Sequence, residues 1–374
     1  MAYTNIDDPS AYFQTLLWTG NTSAPRSFTN DGNSNLQPDM VWAKNRTSNG
    51  TDHELYDSSR GTGTERNLQS NSTAAEGIGT TYGQLTSFDT DGFTVNAGGT
   101  NDDKFNENGS AFVAWQWKCN GGTTASNTDG DINSTVQVNQ DAGFSIVTYT
   151  GNGSTSDQTI GHGLGVRANA VIVKNRDAAV NWVVWSEGVD ANHSLELNTL
   201  DTISDSTQGR VLSNAGSRGT STIFSIRSGS GSVVQTNTNG EDYVAYCFAE
   251  KQGYSKFGSY VANYLTNGPF VYTGFKPAWV MIKNTAQSTN WEMYDVKRNP
   301  GNVANLKLGA NRNAAENGSD LGNTSQNNID ILSNGFKIVT RNTDTNYNAG
   351  DKLIYMAFAE NPFVSSTGIP TTAR

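Results

Sequence analysis

Carboxylates recur along the chain in a way that could serve the hydrolysis of a glycosidic bond. The recurring residues are Asp57 with Arg60, Asp295 with Arg298, and the strand-ending Glu250 and Glu360. Glycosidases need two carboxyl groups on either side of the scissile bond. An aspartate three residues before an arginine is more typical of an ion pair in a turn, and a glutamate after Phe-Ala indicates a strand that emerges into solvent. We therefore expect structural roles for these acids.

The histidines and cysteines do not form a nucleophilic or zinc-binding pattern. A triad needs a histidine beside Ser or Cys and a carboxylate, and no histidine recurs between equivalent segments. His162 lies in the glycine-rich segment Ile160-Gly-His-Gly-Leu-Gly165, which lacks the Lys-Ser/Thr of a phosphate-binding loop. Two cysteines alone cannot complete a zinc site, so we expect Cys119 and Cys247 to be separate buried thiols. The sequence predicts no catalytic residue, no cofactor and a protein that is not an enzyme.

Two oxygen-rich segments resemble calcium loops. They are residues 89–92, Asp-Thr-Asp-Gly, and residues 127–131, Asn-Thr-Asp-Gly-Asp. Neither has the spacing of an EF-hand, and both are explained by Asx turns, in which a side chain binds its own backbone. We predict no metal ligands, with a structural ion at one of these turns as the alternative.

Aromatic side chains are candidates for binding sugars, because Trp and Tyr rings stack on sugar faces. The weak candidates are Trp182, Trp185, Trp291 and Tyr294. They lie in a strand that recurs along the chain, so we expect them in the core more often than in a site. Partner contacts are expected in the long loops that differ between the repeats, at residues 69–90, 199–221 and 309–333.

All these residues lie on a pattern that occurs three times. Each copy has a first strand with an aromatic residue, an apolar strand ending in Lys-Asn, an aromatic strand, a Leu-containing strand, a Phe-containing strand and a hydrophobic closing strand. The Lys-Asn strands are residues 40–45, 171–175 and 280–284, and the closing strands are residues 112–117, 243–250 and 354–360. A fixed order repeated three times predicts three copies of one structural unit.

The repeats predict the domain organisation. The segments are an N-terminal arm (1–11), three β-sandwich repeats (12–118, 142–250 and 251–360), a polar linker (119–141) and a C-terminal tail (361–374). Because the linker is long, we expect the first repeat to sit apart. The second and third repeats should pack closely. The third has Tyr260-Val-Ala-Asn263 where the others have an aromatic residue and Thr-Gly-Asn, so we expect a remodelled first strand there.

Composition predicts an all-β fold. Hydrophobic residues make up 35% and charged residues 16%, with 8 Trp, 14 Tyr and 15 Phe among many small polar residues. Apolar stretches are short, rich in β-branched and aromatic residues, and bounded by Gly, Asn and Asp. We predict three tandem antiparallel β-sandwiches. The lysine of each Lys-Asn pair should mark where a buried strand reaches solvent.

Charge and hydropathy exclude several classes of protein. The net charge of -10 and the lack of a basic cluster argue against binding to nucleic acid, which relies on Lys and Arg. No apolar run has transmembrane length, so we expect no membrane insertion. The first residues lack the charged and apolar regions of a signal peptide, so we expect synthesis in a cytoplasm and release by lysis.

Several segments of the sequence resemble those of a poorly characterised protein family encoded by tailed phages of marine bacteria and cyanobacteria. The segments are residues 6–14, 114–117, 143–152, 160–165, 243–250, 270–277 and 355–360. Members are usually described as virion structural or tail-fibre-like proteins with lectin-like sandwich units, so the resemblance implies sandwiches of lectin-like or jelly-roll-like form. The resemblance implies a component of the phage particle, with other virion proteins as partners. It supplies no catalytic residues.

Three functions are compatible with the sequence. The first is a structural protein on the virion surface, in a tail fibre, spike or capsid decoration, that mediates assembly contacts and attachment to the host. The second is a carbohydrate-binding adhesin that recognises a glycan of the host surface. The third is a polysaccharide depolymerase. A closed homo-oligomer is expected, with a trimer favoured.

Overall fold

The computed structural model describes residues 3–77, 82–98, 103–190, 193–205, 219–226, 235–316, 328–341 and 344–371. These residues form 25 β-strands and one short 3-10 helix, Pro9–Ala11, which Asp8 caps by accepting a hydrogen bond from the Ser10 N–H. The prediction of an all-β chain with antiparallel sheets is confirmed. Among the described residues, no helix has the length and apolar character needed to cross a membrane.

The first seven strands form a four-stranded and a three-stranded sheet. They are β1 (Phe13–Thr19), β2 (Arg26–Phe28), β3 (Met40–Asn45), β4 (Glu54–Asp57), β5 (Gln84–Asp89), β6 (Gly92–Asn96) and β7 (Ala111–Trp117). The first main sheet has the order β1-β7-β3-β4, and the first small sheet has the order β2-β6-β5.

The next ten strands form an eight-stranded and a two-stranded sheet. They are β8 (Ala125–Asn127), β9 (Ser134–Asn139), β10 (Phe144–Thr150), β11 (Gln158–Gly161), β12 (Ala170–Asn175), β13 (Val183–Ser186), β14 (His193–Glu196), β15 (Ser204–Asp205), β16 (Ile223–Ile226) and β17 (Asp242–Phe248). The second main sheet has the order β15-β14-β13-β12-β17-β10-β9-β8, and β11 pairs with β16 in the second small sheet.

The last eight strands form a five-stranded and a three-stranded sheet. They are β18 (Ser255–Val261), β19 (Phe270–Tyr272), β20 (Phe275–Asn284), β21 (Trp291–Asp295), β22 (Leu308–Gly309), β23 (Ile329–Leu332), β24 (Gly335–Ile338) and β25 (Lys352–Pro362). The third main sheet has the order β18-β25-β20-β21-β22, and the third small sheet has the order β19-β24-β23.

The three main sheets share one strand order. In each, the closing strand lies between the first strand and the Lys-Asn strand, and the aromatic strand follows: β1-β7-β3-β4, β10-β17-β12-β13 and β18-β25-β20-β21. Corresponding residues therefore have the same register. Trp117, Phe248 and Phe358 pair with Met40, Ala170 and Trp279, respectively. The boundaries of the three domains stay a prediction.

Each Lys-Asn strand is buried on both faces. All six residues of β3 and all six of β12 are buried, as are the last six of β20. In the first and third main sheets, one face packs against the small sheet, in clusters that contain Val41 with Phe93 and Val280 with Phe336. The other face belongs to a central core. Burial on two sides explains why these strands are continuous apolar runs without polar alternation.

Residues from all three main sheets meet in the central core. The Phe358 ring lies 5.6 Å from the Trp117 ring and 5.8 Å from the Phe248 ring, measured between centroids. Trp279 lies 5.8 Å from Trp117. The prediction that the first repeat sits apart is therefore wrong. Separation would expose Trp117, and full burial of a large apolar side chain stabilises a fold by about 1.5–3 kcal/mol.

Two other expectations need correction. The segment 119–141, predicted as a polar linker, contains β8 and β9, and β9 pairs with β10 over six residues from Phe144 to Tyr149. The first strand of the third repeat is not remodelled, because β18 pairs with β25 as β1 pairs with β7. The residue that follows this segment, Tyr264, has a φ of 57°, close to the 59° of Thr22 at the corresponding place in the first repeat.

Candidate functional site

The four aromatic residues proposed from the sequence as a ligand site are buried. Trp182, Trp185, Trp291 and Tyr294 have at most 3% of their surface exposed. Rings so enclosed cannot stack on a sugar, so the weaker interpretation as a sugar site is wrong and the favoured one, as core residues, is confirmed. The three tryptophans belong to the central core, and Tyr294 belongs to the core of the third repeat.

Instead, the first residue of each aromatic segment of the sequence (residues 53–57, 182–186 and 291–295) connects two of the repeats. The contacts are Trp182 Nε1 with the Gln69 carbonyl oxygen at 2.8 Å, Trp291 Nε1 with the Glu196 carbonyl oxygen at 3.0 Å, and His53 Nε2 with the Gly309 carbonyl oxygen at 3.0 Å. Each oxygen lies in or beside the Leu-containing strand of another repeat. The second repeat thus contacts the first, the third contacts the second, and the first contacts the third. The three main sheets form a closed ring.

Backbone hydrogen bonds and ion pairs repeat this ring. The Glu76 N–H donates to the Arg176 carbonyl at 2.8 Å, and the Glu316 N–H donates to the Arg46 carbonyl at 2.8 Å. The side chains of the same residues form ion pairs, Arg176–Glu76 and Arg46–Glu316, both at 2.7 Å. Two of the long loops therefore bind within the chain, at Glu76 and Glu316. Residues 78–81, 206–218 and 317–327 of the three long loops lie outside the described residues.

The lysines of the Lys-Asn pairs are buried, and two of them bond to the preceding repeat. Lys44, Lys174 and Lys283 have no exposed surface, so the prediction that they reach solvent is wrong. The Lys174 ammonium donates to the Thr73 carbonyl at 3.1 Å, and the Lys283 ammonium donates to the Leu200 carbonyl at 3.1 Å. Both acceptors belong to the preceding repeat. The ammonium groups are tolerated because backbone carbonyls replace the lost water.

Burial also changes the acidity of these lysines. Removal from water lowers the pKa of Lys283 to about 7, while Asp344 and Asp201 act in the opposite direction. Burial lowers the pKa of Lys174 to about 8, and that of Lys44 to about 8 against the opposing charges of Asp52 and Asp103. The side chains are enclosed, so this unusual acidity belongs to the interfaces and offers no accessible amine nucleophile.

The two Asp–Arg pairs are ion pairs in turns, as the sequence predicted, and both are buried. Asp57 contacts Arg60, and Tyr246 of the second repeat donates its hydroxyl to the same carboxylate at 2.8 Å. In the third repeat, Asp295 contacts Arg298, and Trp115 Nε1 of the first repeat donates to Asp295 at 3.1 Å. A donor from the next repeat of the ring therefore completes each pair.

The third such position lacks both charges. In the second main sheet, Ser186 has the register of the two aspartates, and Val189 has the place of the arginines. On the closing strand of the third main sheet, Met356 has the register of Tyr246 and Trp115 and has no hydrogen to donate. The carboxylate, the guanidinium and the donor thus change together, as expected if the group acts as a unit.

Buried glutamates form two further pairs that the sequence analysis missed. Glu54 contacts Lys104 at 2.5 Å, and Glu292 contacts Lys307 at 3.6 Å. Burial raises the pKa of both glutamates, and for Glu292 the charge of Asp344 raises it further. The signal was present, because a glutamate is the second residue of two aromatic strands and a lysine lies inside the Leu-containing segment 306–308.

The remaining candidates have structural contacts. The Leu164 N–H donates to His162 Nδ1 at 3.1 Å, and burial lowers the pKa of this histidine. Asp89 accepts hydrogen bonds from Ser87 and Thr94 within its own hairpin. Among the described residues, no group of three or more His, Cys, Asp or Glu side chains could hold a metal ion.

The cysteines and the strand-ending glutamates match their predictions. Cys119 and Cys247 are free and buried. Glu250 and Glu360 are partly exposed where their strands leave the core. They form ion pairs with Lys256 at 2.6 Å and with Lys276 at 2.5 Å, respectively.

Exposed aromatic residues are concentrated in the third repeat. Ten large hydrophobic side chains are exposed in the described ranges, and seven of them lie within residues 251–360. Tyr264 and Tyr347 are 41% and 40% exposed, and their ring centroids are 5.9 Å apart at an angle of 89°. The Arg341 guanidinium lies 4.9 Å from the Tyr264 ring centre. This group, which we call the tyrosine corner patch, is the accessible candidate site, and the sequence analysis did not identify it.

Comparison with known proteins gives one match. No curated protein matches the chain, and no solved structure matches it. The model of one family, described as "Domain of unknown function (DUF7483)", matches residues 8–362. This range includes all three main sheets and nearly all of the chain. The protein therefore belongs to the DUF7483 family, whose function is unknown.

Proposed function

We propose that this protein is a structural component exposed on the surface of a phage particle, in a tail fibre, a spike or a capsid decoration. Its partners would be other virion proteins, it would assemble as a homo-oligomer with a trimer favoured, and it would leave the host cytoplasm by lysis. The sequence resemblance to virion proteins motivates the proposal.

The use of the recurring ionisable residues carries the structural part of the proposal. Two recurring Asp–Arg pairs, considered for catalysis from the sequence, and two of the recurring lysines lie in contacts that join one repeat to the next. The Asp57–Arg60 and Asp295–Arg298 pairs are buried there, as are Lys174 and Lys283. A chain whose recurrent buried charges hold three sheets in a ring is suited to a structural role.

Recognition of a saccharide on the host surface is the second candidate function. The tyrosine corner patch favours it, because exposed tyrosine rings lie beside amide and guanidinium groups. The depolymerase alternative would need two accessible carboxylates facing each other across a groove. The recurring aspartates, Asp57 and Asp295, cannot supply that pair, because each is buried against an arginine.

Labelling of purified particles tests the structural role. An antibody raised against the recombinant chain would be applied to intact particles and viewed by electron microscopy, with antibody pre-absorbed on the chain as the control. Label over the whole head would support capsid decoration, and label at the tail tip or fibres would support a fibre or spike. Particles that carry no label, while lysate protein of the same infection reacts on a blot, would refute the proposal.

A further inference from the structure

The tyrosine corner patch is built on a pair of asparagines that all three repeats share. One asparagine follows the first strand, and the other precedes the closing strand. In each pair, the backbone N–H of the first asparagine donates a hydrogen bond to the side-chain oxygen of the second. The pairs are Asn21 with Asn106 at 3.1 Å, Asn152 with Asn237 at 2.9 Å, and Asn263 with Asn346 at 2.8 Å. We call each hydrogen-bonded asparagine pair a clasp. It joins the same two loops in all three repeats.

Only the third repeat places aromatic rings on this clasp. The residues that follow the first asparagine are Thr22, Gly153 and Tyr264, and the residues that follow the second are Glu107, Thr238 and Tyr347. Both tyrosines are therefore additions to a scaffold that forms without them. A ring pair needed to hold the loops together would be expected in the other repeats as well.

The backbone at Tyr264 supports this interpretation. The residue after the first asparagine has a positive φ in all three repeats, 59° at Thr22, 66° at Gly153 and 57° at Tyr264. Glycine adopts this conformation without steric cost, whereas a residue with a Cβ does not. Tyrosine is thus a costly choice where the second repeat uses glycine. The first repeat bears a similar cost with Thr22, so what distinguishes the third repeat is that the strained residue carries an exposed aromatic ring. Strained residues in exposed positions are frequent at binding sites.

The groups around the two rings match the chemistry of a sugar. The rings are nearly perpendicular, so they form a corner instead of a flat apolar patch. Asn267 and Asn348 are exposed beside them and bring amide groups that can bond hydroxyls. The Arg341 guanidinium is also exposed, and its planar fork of donors fits a carboxylate. Among the described residues, no carboxylate forms an ion pair with Arg341.

We propose that Tyr264, Tyr347 and Arg341 form a binding site for an acidic pyranose saccharide, of the hexuronate class. A tyrosine ring stacks on the apolar face of the sugar, and Arg341 binds its carboxylate. The chain carries a net charge of -10, so general attraction of a polyanion is excluded and binding depends on this local arrangement. The site is independent of the structural role proposed above, because a protein with or without a place on a virion can carry it.

The substitution Tyr264→Gly tests the site without loss of the scaffold, because glycine is the residue of the second repeat at this position. The probe is a mannuronate tetrasaccharide, titrated into the full-length chain and followed by NMR, with a neutral glucose tetrasaccharide for comparison. We expect Tyr264→Gly to weaken binding of the acidic probe about tenfold or more. Its melting temperature should be equal to or above that of the wild type, because the backbone strain is relieved.

Two further variants complete the test. Thr22→Gly makes the same change at the corresponding position of the first repeat and should leave binding intact. Arg341→Gln should remove the preference for the acidic over the neutral probe. The proposal fails if the wild type binds neither probe at about 10 mM, a concentration above the Kd of weak sites. It also fails if Tyr264→Gly binds normally, if this variant melts well below the wild type, or if both probes bind equally.

Discussion

The buried pair of Asp295 and Arg298 allows a direct measurement of how the ring of sheets is held together. We consider Arg298→Val, which introduces the residue that the second repeat has at this position. The substitution leaves the Asp295 carboxylate buried, with Trp115 Nε1 and the backbone N–H of residue 298 as its remaining donors. It also removes one partner of Glu316, which keeps its ion pair with Arg46.

The size of the effect follows from the burial of both side chains. Neither the Asp295 nor the Arg298 side chain has exposed surface, so an uncompensated charge at this place costs about 3–5 kcal/mol. Adding Asp295→Ser to Arg298→Val removes that charge and recreates the Ser–Val combination of the second repeat. The Trp115 N–H then lacks an acceptor, at a cost of about 1–3 kcal/mol. The double variant should therefore be more stable than Arg298→Val alone.

Urea denaturation, followed by tryptophan fluorescence, measures these differences. Because the three main sheets share one core, we expect a single cooperative transition from which free energies can be extrapolated. The matched control is the partly exposed pair of Glu250 and Lys256, whose side chains are 33% and 34% exposed. A double-mutant cycle on that pair should give a coupling energy below about 1 kcal/mol.

One result would refute the reasoning about Asp295 and Arg298. If the effects of the two substitutions simply add, within about 0.5 kcal/mol, the two side chains do not act as a unit. The corresponding absence of both charges from the second repeat would then have another cause. A coupling energy of about 2 kcal/mol or more, with the double variant above Arg298→Val in stability, is the outcome that the structure predicts.

Three further predictions concern other buried groups. The pKa of Lys283 is lowered to about 7, so above that pH the unfolded chain binds more protons than the folded chain. The free energy of unfolding should therefore rise between pH 7.5 and 8.5, by up to about 1.4 kcal/mol per pH unit from this group. Urea midpoints measured across this pH range should rise less steeply in Lys283→Met. Cys119 and Cys247 are buried, and burial raises the pKa of both thiols. A disulfide reagent at pH 8 should therefore modify these thiols only in urea. Rapid reaction of the folded protein with the reagent would contradict the structure. Trp182→Phe loses the bond to the Gln69 carbonyl and should cost about 1–3 kcal/mol in the same urea assay, and an unchanged midpoint would show that this contact does not stabilise the ring.

The strands could be predicted from the sequence because they are short and bounded by turn residues. The Lys-Asn and closing strands fall at the predicted places, for example β3 at Met40–Asn45 and β12 at Ala170–Asn175. Local pattern was sufficient there, since β-propensity and turn residues act over a few positions. It was insufficient for the segment 119–141, where polar residues form β8 and β9 on an edge of the second main sheet that is partly open to solvent.

The lysines show why the contacts between repeats could not be predicted. A lysine at the end of an apolar strand usually reaches water, since its charge is costly to bury. The Lys174 ammonium donates to the Thr73 carbonyl, 101 residues earlier, in addition to two nearby carbonyls. The Lys283 ammonium likewise donates to the Leu200 carbonyl in addition to nearby oxygens. The sequence near each lysine does not indicate that a backbone carbonyl of another repeat will accept its hydrogen bond. The same holds for Trp182 and Trp291, whose acceptors also lie in the preceding repeat.

Because three similar repeats are joined in one chain, each repeat can carry different residues at corresponding positions. Three identical subunits around an axis must carry the same residues in every interface and on every outer loop. Here, one interface has Ser186 and Val189 where the others have a charged pair, and one loop clasp has Tyr264 where the others have Thr22 and Gly153. The shared core keeps the ring closed while each loop is free to change. A binding site on a single repeat, such as the tyrosine corner patch, is possible only because the three repeats are covalently joined and so can differ.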